Sequence, residues 1–350
     1  TTASAALSIA PLEGSLPLQL IQGFERQLDE AVKIAVTPKE SLIQLYETLQ
    51  VWQSAATEAD DTSASTNHVP ADWLTLTDYW LSFAIQQNLI QPIDVEALAG
   101  WEQLDPRWQQ LVQRNRQGKV EADAPVWGVP YRWGSLAILY NTARSGQDSL
   151  STWADLLKPE LRRRVILPDH PRLVIGLALK ALGASANVED PAAVEGLTEF
   201  LASLQQQVRV YSSDHYLEAL IIGDATAVVG WDVDILAILD QYRTFTVVIP
   251  PQGTLLSADL WVQPAAAQAS SLALDWLKFS LSSDFAEQLA IYDLGQSPRL
   301  WALAADEWPE PLQREGLIPS METRAESEFL YPLEASVEER YNQLWRELRR

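Results

Sequence analysis

Apolar and polar positions change their period several times along this chain. Residues 7 to 12, LSIAPL, are a short continuous apolar run that predicts a strand. From Leu16 to Val32 the apolar positions recur every three to four residues, the spacing of an amphipathic helix. VKIAV, Val32 to Val36, predicts a second strand and residues 39 to 54 a second helix. The polar, small-residue stretch Ala55 to Asn67 reads as an exposed loop. In Ala71 to Ile90, Trp73, Leu74 and Leu76 end a strand, and Thr77-Asp78 can cap a helix carrying Tyr79, Leu81, Phe83, Ala84 and Ile85. Strand, helix, strand, helix is an α/β signature.

Gly100 to Val120, with Trp101, Arg107, Trp108, Arg114 and Arg116, reads as a polar, partly helical surface segment. After it comes VWGVPYRWGSLAILYN, Val126 to Asn141. Pro130 fixes its own φ and pushes Val129 to extended geometry, and the β-branched and aromatic residues that follow predict a long strand. Gly134 and Ser135 keep part of it slim enough for backbone or ligand to come close. Beyond it the pattern predicts a capped helix over Ser151 to Leu161, the strand Val165 to Leu167, and a helix from Leu173 to Leu182 ended by Gly183. A further helix runs from Asp190-Pro191 to Gln206, then the strand Val208 to Tyr211, with Ser212-Ser213-Asp214 capping His215 to Ile222. Ala225 to Trp231 is a strand, Asp232 to Leu239 a helix, and Phe245 to Ile249 a strand. The chain returns through Leu255 to Val262 and ends in helices from Ser270 to Leu289 and Val337 to Arg349.

The chain has 350 residues, more than one ordinary core and enough for two lobes of about 150 residues each. The expected division is lobe one at 1–133 with 253–350, and lobe two at 134–252, joined by two crossing strands. No stretch approaches the ~18 uninterrupted apolar residues of a spanning helix. Forty-seven acids against 25 bases leave a formal charge of −22, which argues against nucleic acid and anionic lipid as partners. There is no cysteine, so disulfides and thiolate metal sites are excluded. The start, Thr-Thr-Ala-Ser-Ala, has neither basic nor apolar signal regions, so any signal peptide would already be removed. His68, His170 and His215 are scattered without metal-ligand spacing, and no GxSxG, GxGxxG or GxxxxGK[ST] occurs. Neither enzyme chemistry nor a cofactor is expected.

VPYRWGSLAILYN, TWADLLKPELRRRVIL (Thr152 to Leu167), VVGWDVDIL (Val228 to Leu236), SADLWVQP (Ser257 to Pro264) and ADWLTLTDYWLSFAIQQNLIQPID (Ala71 to Asp94) together resemble the spermidine/putrescine-type solute-binding proteins of bacterial ABC importers. The resemblance covers most of the chain in order. It implies a two-lobed α/β periplasmic-binding-protein fold of type II, each lobe a mixed, mainly parallel sheet flanked by helices. It also implies a polyamine ligand in an interlobe cleft, a membrane ABC permease as partner, a monomer, and a periplasmic location with a removed signal peptide and room for a lipid anchor.

A diammonium chain needs carboxylates for its ends and aromatic faces for its methylenes, because a cation–π contact supplies only about 0.5–2 kcal/mol and micromolar binding needs about 8. The candidates are Thr77, Asp78 and Tyr79 at one turn, Tyr131 and Trp133 on the long strand, Asp169, Trp231 with Asp232, and Asp259 near Trp261. Trp231 either stacks on ligand, as the resemblance implies, or fills the sheet edge. Asp232 and Asp234 either meet ligand or favour the first helical turn. The resemblance also aligns Asp259 with the family's ammonium-binding aspartate; the alternative is an exposed strand face. Trp133 serves as core or site, while Trp52, Trp73, Trp101, Trp153, Trp276, Trp301 and Trp345 read as packing residues.

The chain also departs from the family pattern. No ring falls in Ala10 to Ser15, His170 and Leu173 stand where the family has acids, and Ser257 replaces a stacking tryptophan. Arg132 and Arg172 lie beside expected site positions. They keep open a second reading, in which they and the helix starts at Thr77 and Asp214 bind an anionic or zwitterionic solute. A third reading is a scaffold that has lost solute binding and acts through a protein partner.

Overall fold

A computed structural model of the chain describes residues 6–58, 69–144, 149–268 and 270–350. The chain forms two compact units, Thr1–Trp133 with Ser257–Leu303, and Gly134–Leu256 with Ala304–Arg350. The sequence expectation placed everything after residue 253 in lobe one; here the last segment belongs with the second unit.

The first unit opens with β1 (Leu7–Ala10), α1 (Leu18–Glu25), β2 (Ile34–Val36), α2 (Leu42–Glu58), β3 (Trp73–Thr77), α3 (Asp78–Gln86), β4 (Ile90–Gln91) and α4 (Pro106–Val112), and leads into β5 (Val129–Asn141). β1 pairs parallel with β2 and β3, as helical crossovers allow. Helix α1 stops well short of Val32, because the chain must turn back to place Ile34 beside Leu7. Helix α2 runs through Ala55–Glu58, part of the expected loop, where alanine and glutamate favour helix. The remainder of that loop, with His68, lies outside the described residues. β3 and α3 follow the predicted pattern, with Thr77 as N-cap.

The stretch from Gly100 to Val120 corrects the surface reading: Trp101, Trp108 and Arg114 are all buried. Trp108 packs against Trp133 and Trp301 at ring distances of 5.8 and 5.5 Å. Gly118 has φ +77°, and a Cβ there would lie 2.5 Å from the Ser82 backbone. Glycine is required at that turn. Its carbonyl accepts from Arg114 Nη1 at 2.9 Å.

In the second unit β5 continues, followed by two short 3₁₀ turns, Trp153–Leu157 and Pro159–Leu161, in place of one helix. Pro159 forces Lys158 out of helical geometry. Next come β6 (Val165–Leu167), α5 (Pro171–Ala181), α6 (Leu197–Gln207), β7 (Val208–Tyr211), α7 (Tyr216–Ile221), β8 (Ala227–Trp231), α8 (Asp232–Leu239), β9 (Phe245–Val248) and the start of β10 (Leu255–Pro264). Gly196, at φ +84°, shortens the helix expected from Asp190, so α6 begins at Leu197. β8, β6 and β7 are parallel neighbours, and β5 pairs antiparallel with β8 and β9.

The chain returns along β10, whose second half pairs antiparallel with β3 and β4 in the first unit. Then α9 (Ser271–Ser280) and α10 (Ser283–Asp293) start at Ser270 and Ser282, each serine accepting a backbone N–H. Past Leu303 come α11 (Met321–Glu326), β11 (Glu328–Phe329) and α12 (Ala335–Leu348). Their place in the second unit has physical causes. β11 pairs with Leu255 and Leu256, and the Tyr341 hydroxyl of α12 donates to the carbonyls of Ala186 and Val188 at 3.2 and 2.9 Å. Among the described residues no helix is long and apolar enough to cross a membrane.

Aromatic rings fill the core of the first unit. Tyr131 stacks on Trp261 at 4.1 Å, and Trp261 meets Trp276 at 5.8 Å, which in turn meets Phe24 edge-on at 5.2 Å. Truncating Trp261 to alanine removes the central ring of this stack. Trp261→Ala is expected to lose about 3–5 kcal/mol in urea denaturation followed by circular dichroism, and a loss below ~1 kcal/mol would contradict a packed core there.

Candidate functional site

The strand ends of each unit carry the chemistry, and the two units are taken in turn. In the first, the antiparallel register sets Asp259 of β10 opposite Thr77, the last residue of β3 and N-cap of α3. The next residue, Asp78, is buried and accepts the Ala258 N–H at 2.8 Å. Burial pushes its carboxyl up to about 7, although the Ala258 bond and the Arg114 charge oppose the rise. Tyr79, one residue on, is half-buried, with its ring 6.2 Å from that of Phe83.

Arg132 stands between two buried rings on β5 and points to the opposite face of the strand. Its Nε donates to Asp259 Oδ2 at 2.9 Å and its Nη1 to Asp293 Oδ2 at 2.6 Å. One guanidinium therefore ties β10 to the last residue of α10. Burial favours the neutral form of Arg132, but the two carboxylates outweigh it and hold the guanidinium charged. Burial also raises the Asp293 carboxyl, against the pull of Arg132. Three side chains with 13–15% exposure leave this group one net negative charge within reach of solvent.

Tyr131 and Trp133 face the interior. The Tyr131 hydroxyl bonds Ser15 and Thr75 at 3.0 and 2.9 Å, and the Trp133 indole N–H donates to the Ser297 carbonyl at 3.0 Å. Both rings are fully packed, so their place is behind the strand ends.

In the second unit, β8 ends at Trp231, which is half-buried and is the N-cap of α8. Asp232 is fully buried and accepts the Ser135 N–H at 3.0 Å. The slim section of β5 exists for this contact, since a Cβ on Gly134 would lie 2.9 Å from Asp232 Oδ1. Gly230 plays the same part for Tyr216, whose ring occupies the space of a side chain and whose hydroxyl donates to Asp234 at 2.7 Å. Asp169 is exposed, and its carboxylate accepts from Arg349 Nη1 at 2.8 Å. The Arg349 guanidinium also lies 5.0 Å from the Tyr211 ring and 5.1 Å from that of Trp345.

Within the first unit, then, Thr77, Asp78 and Asp259 come together at one junction, with Arg132 and Asp293 completing it. In the second, Trp231 and Asp232 share a junction and Asp169 sits at another strand end. Asp293 and Tyr216 were missed in the sequence. An acid at a helix C-terminus is disfavoured by the helix dipole, and that was the available signal for Asp293; Tyr216 had none. The arginines of the anionic reading are committed elsewhere: Arg132 to two acids, and buried Arg172 to the Tyr331 carbonyl at 3.1 Å, Asn187 at 2.8 Å and the Tyr341 ring at 5.0 Å. His170 is held neutral, its pKa lowered to about 4 by burial and by the charge of Arg172.

These features, acids and a tryptophan at strand ends on α/β units joined by long strands, are those of a solute receptor. The chain belongs to the bacterial extracellular solute-binding protein family, whose family model matches residues 48–312. It is 26% identical over 314 residues to the spermidine/putrescine-binding periplasmic protein of Salmonella typhimurium, covering 90% of this chain and 83% of that one. Its fold is similar to that of the spermidine/putrescine ABC transporter substrate-binding protein PotD of Streptococcus pneumoniae, with a TM-score of 0.81 at 21% identity over 99% of both chains. The same fold extends to the periplasmic binding protein AfuA of Actinobacillus pleuropneumoniae, solved with fructose-6-phosphate, at a TM-score of 0.60 and 16% identity over 99% of both chains.

Asp78 supplies a pH signature. Its folded pKa of about 7 lies above its ordinary 3.8, so it stabilises the fold at low pH and that contribution fades as pH rises through 7. From pH 5 to pH 8 the wild type is expected to lose about 3 kcal/mol relative to Asp78→Asn in paired urea titrations. A difference independent of pH would show that Asp78 is ionised throughout.

Proposed function

We propose that this protein is an exported receptor that binds a polyamine of the putrescine/spermidine class and delivers it to a membrane ABC permease. The observation that carries the reading is the Arg132–Asp259–Asp293 group, in which two carboxylates outnumber one guanidinium at a part-exposed strand end. A cation is attracted there and an anion repelled. The relatives named for spermidine and putrescine supply the ligand class. The anionic alternative is weaker, since both arginines it needs already serve acids, carbonyls and amides of the fold. ATP hydrolysis falls to the transporter, so the receptor itself needs no catalysis, and a monomer suffices for the task.

Thr77, Tyr79 and Asp259 of the first unit and Trp231 and Asp169 of the second are the side chains we assign to ligand contact. Asp78, Tyr131, Trp133 and Asp232 are buried with partners inside the fold, and we assign them to holding those contacts in place. Trp231, half-buried at a strand end, suits a cation–π face for a methylene-linked ammonium.

Isothermal titration calorimetry of the wild type with putrescine and spermidine is expected to show micromolar binding, with Trp231→Ala about tenfold weaker, the size of one cation–π contact. Silence toward both polyamines together with heat from glutamate or phosphate would move the function to the anionic class. Silence toward every solute would favour a scaffold that acts through a protein partner.

A further inference from the structure

We propose that Arg132 is a specificity-determining residue, a cation supplied by the protein that holds down the affinity of the first unit for ligand ammonium groups and disfavours the more highly charged polyamines. The inference rests on the polyamine reading above and deepens it. Arg132 does not clamp one carboxylate with both nitrogens. Its Nε takes Asp259 and its Nη1 takes Asp293, so a single charge is spread over two acids from different elements. An arginine used only to neutralise an aspartate would make the fork-to-fork pair, the geometry its planar head prefers.

The placing of Asp293 points the same way. It is the last residue of α10, where the unpaired carbonyls of the helix end repel an acid. With Arg132 present the group has one net negative charge; without it there would be two. The group keeps 13–15% of its side-chain surface open, so an incoming ammonium meets the same oxygens that Arg132 already engages. It must share them, and each further ammonium on the ligand meets a repulsion from the guanidinium that a bare carboxylate pair would not exert. Putrescine, with two charges, is therefore penalised less than spermidine, with three.

The test is calorimetry with putrescine and spermidine, at one low ionic strength, on wild type, Arg132→Met and Asp293→Asn, with thermal melts to confirm folding. Arg132→Met keeps the apolar stem and removes the charge. It is expected to bind putrescine at least tenfold more tightly than wild type, and spermidine by a larger factor. Asp293→Asn leaves Arg132 facing Asp259 alone, and is expected to weaken both polyamines at least tenfold. This second variant decides the matter if Arg132→Met fails to fold. Wild-type binding that Arg132→Met leaves unchanged or weakens, or that Asp293→Asn leaves unchanged, overturns the inference while the polyamine reading stands. Binding by Arg132→Met alone supports the inference and removes polyamines as the native ligand. No polyamine binding by any of the three overturns both.

Discussion

The antiparallel pairing of β10 with β3 is the constraint on which the first unit depends. β10 arrives from the second unit and could extend the sheet only beside a strand whose neighbours it does not displace. Its register, Asp259 opposite Thr77 and Trp261 opposite Thr75, then fixes three further things at once. It brings the Ala258 N–H to the Asp78 carboxylate, lays Trp261 on the Tyr131 ring, and delivers Asp259 to Arg132. A slip of one residue would turn the whole side-chain set of β10 to the other face, taking Asp259 from Arg132 and Trp261 from Tyr131 together, because the side-chain period of a strand is two. The core and the site are therefore specified by the same ladder.

The strand pairs show how two units grow from one chain. The parallel pairs β1–β2, β1–β3, β6–β7 and β6–β8 are βαβ crossovers, a fifth parallel pair joins β10 to the late strand β11, and the antiparallel pairs all involve β5 or β10. Those two strands run from one unit into the other, so each must enter a sheet built by crossovers from the opposite direction. Such entries leave strand ends and helix starts side by side, the places where an open α/β sheet binds ligands. Thr77 and Trp231 occupy equivalent positions of this kind, each a last strand residue and an N-cap, and each is followed by a buried aspartate.

Charge economy shapes both junctions. In a chain with 22 more acids than bases, the basic side chains near the strand ends are engaged by acids or by backbone carbonyls. Asp78 is buried deeply enough that desolvation opposes its ionisation, and the Ala258 N–H offsets part of that cost, while buried Asp232 accepts the Ser135 N–H. Asp259 and Asp293 of the first unit and Asp169 of the second, all within reach of solvent, each touch an arginine of their own unit.

Local pattern was enough for most elements. The β3–α3 and β8–α8 junctions were legible to the residue, because an apolar run gives way there to an aspartate that opens a helical repeat. The slimness of Gly134 was legible too, though not that Asp232 would fill the space. Where the reading differed, a distant contact or a single backbone torsion had overridden the pattern. Gly196 and Pro159 broke helices that periodicity alone would continue, and Trp108 and Arg114 lie inside despite polar neighbours, Trp108 against Trp133 and Arg114 on the Leu111 and Gly118 carbonyls. By itself the sequence determined the α/β class, the two crossing strands and the strand-end candidates, since these follow from local period and capping. Only the tertiary structure decided that Arg132 joins Asp259 to Asp293, that Tyr131 and Trp133 are core, and that the final helix packs on the second unit. Each of those depends on which faces meet after strands distant in sequence have paired.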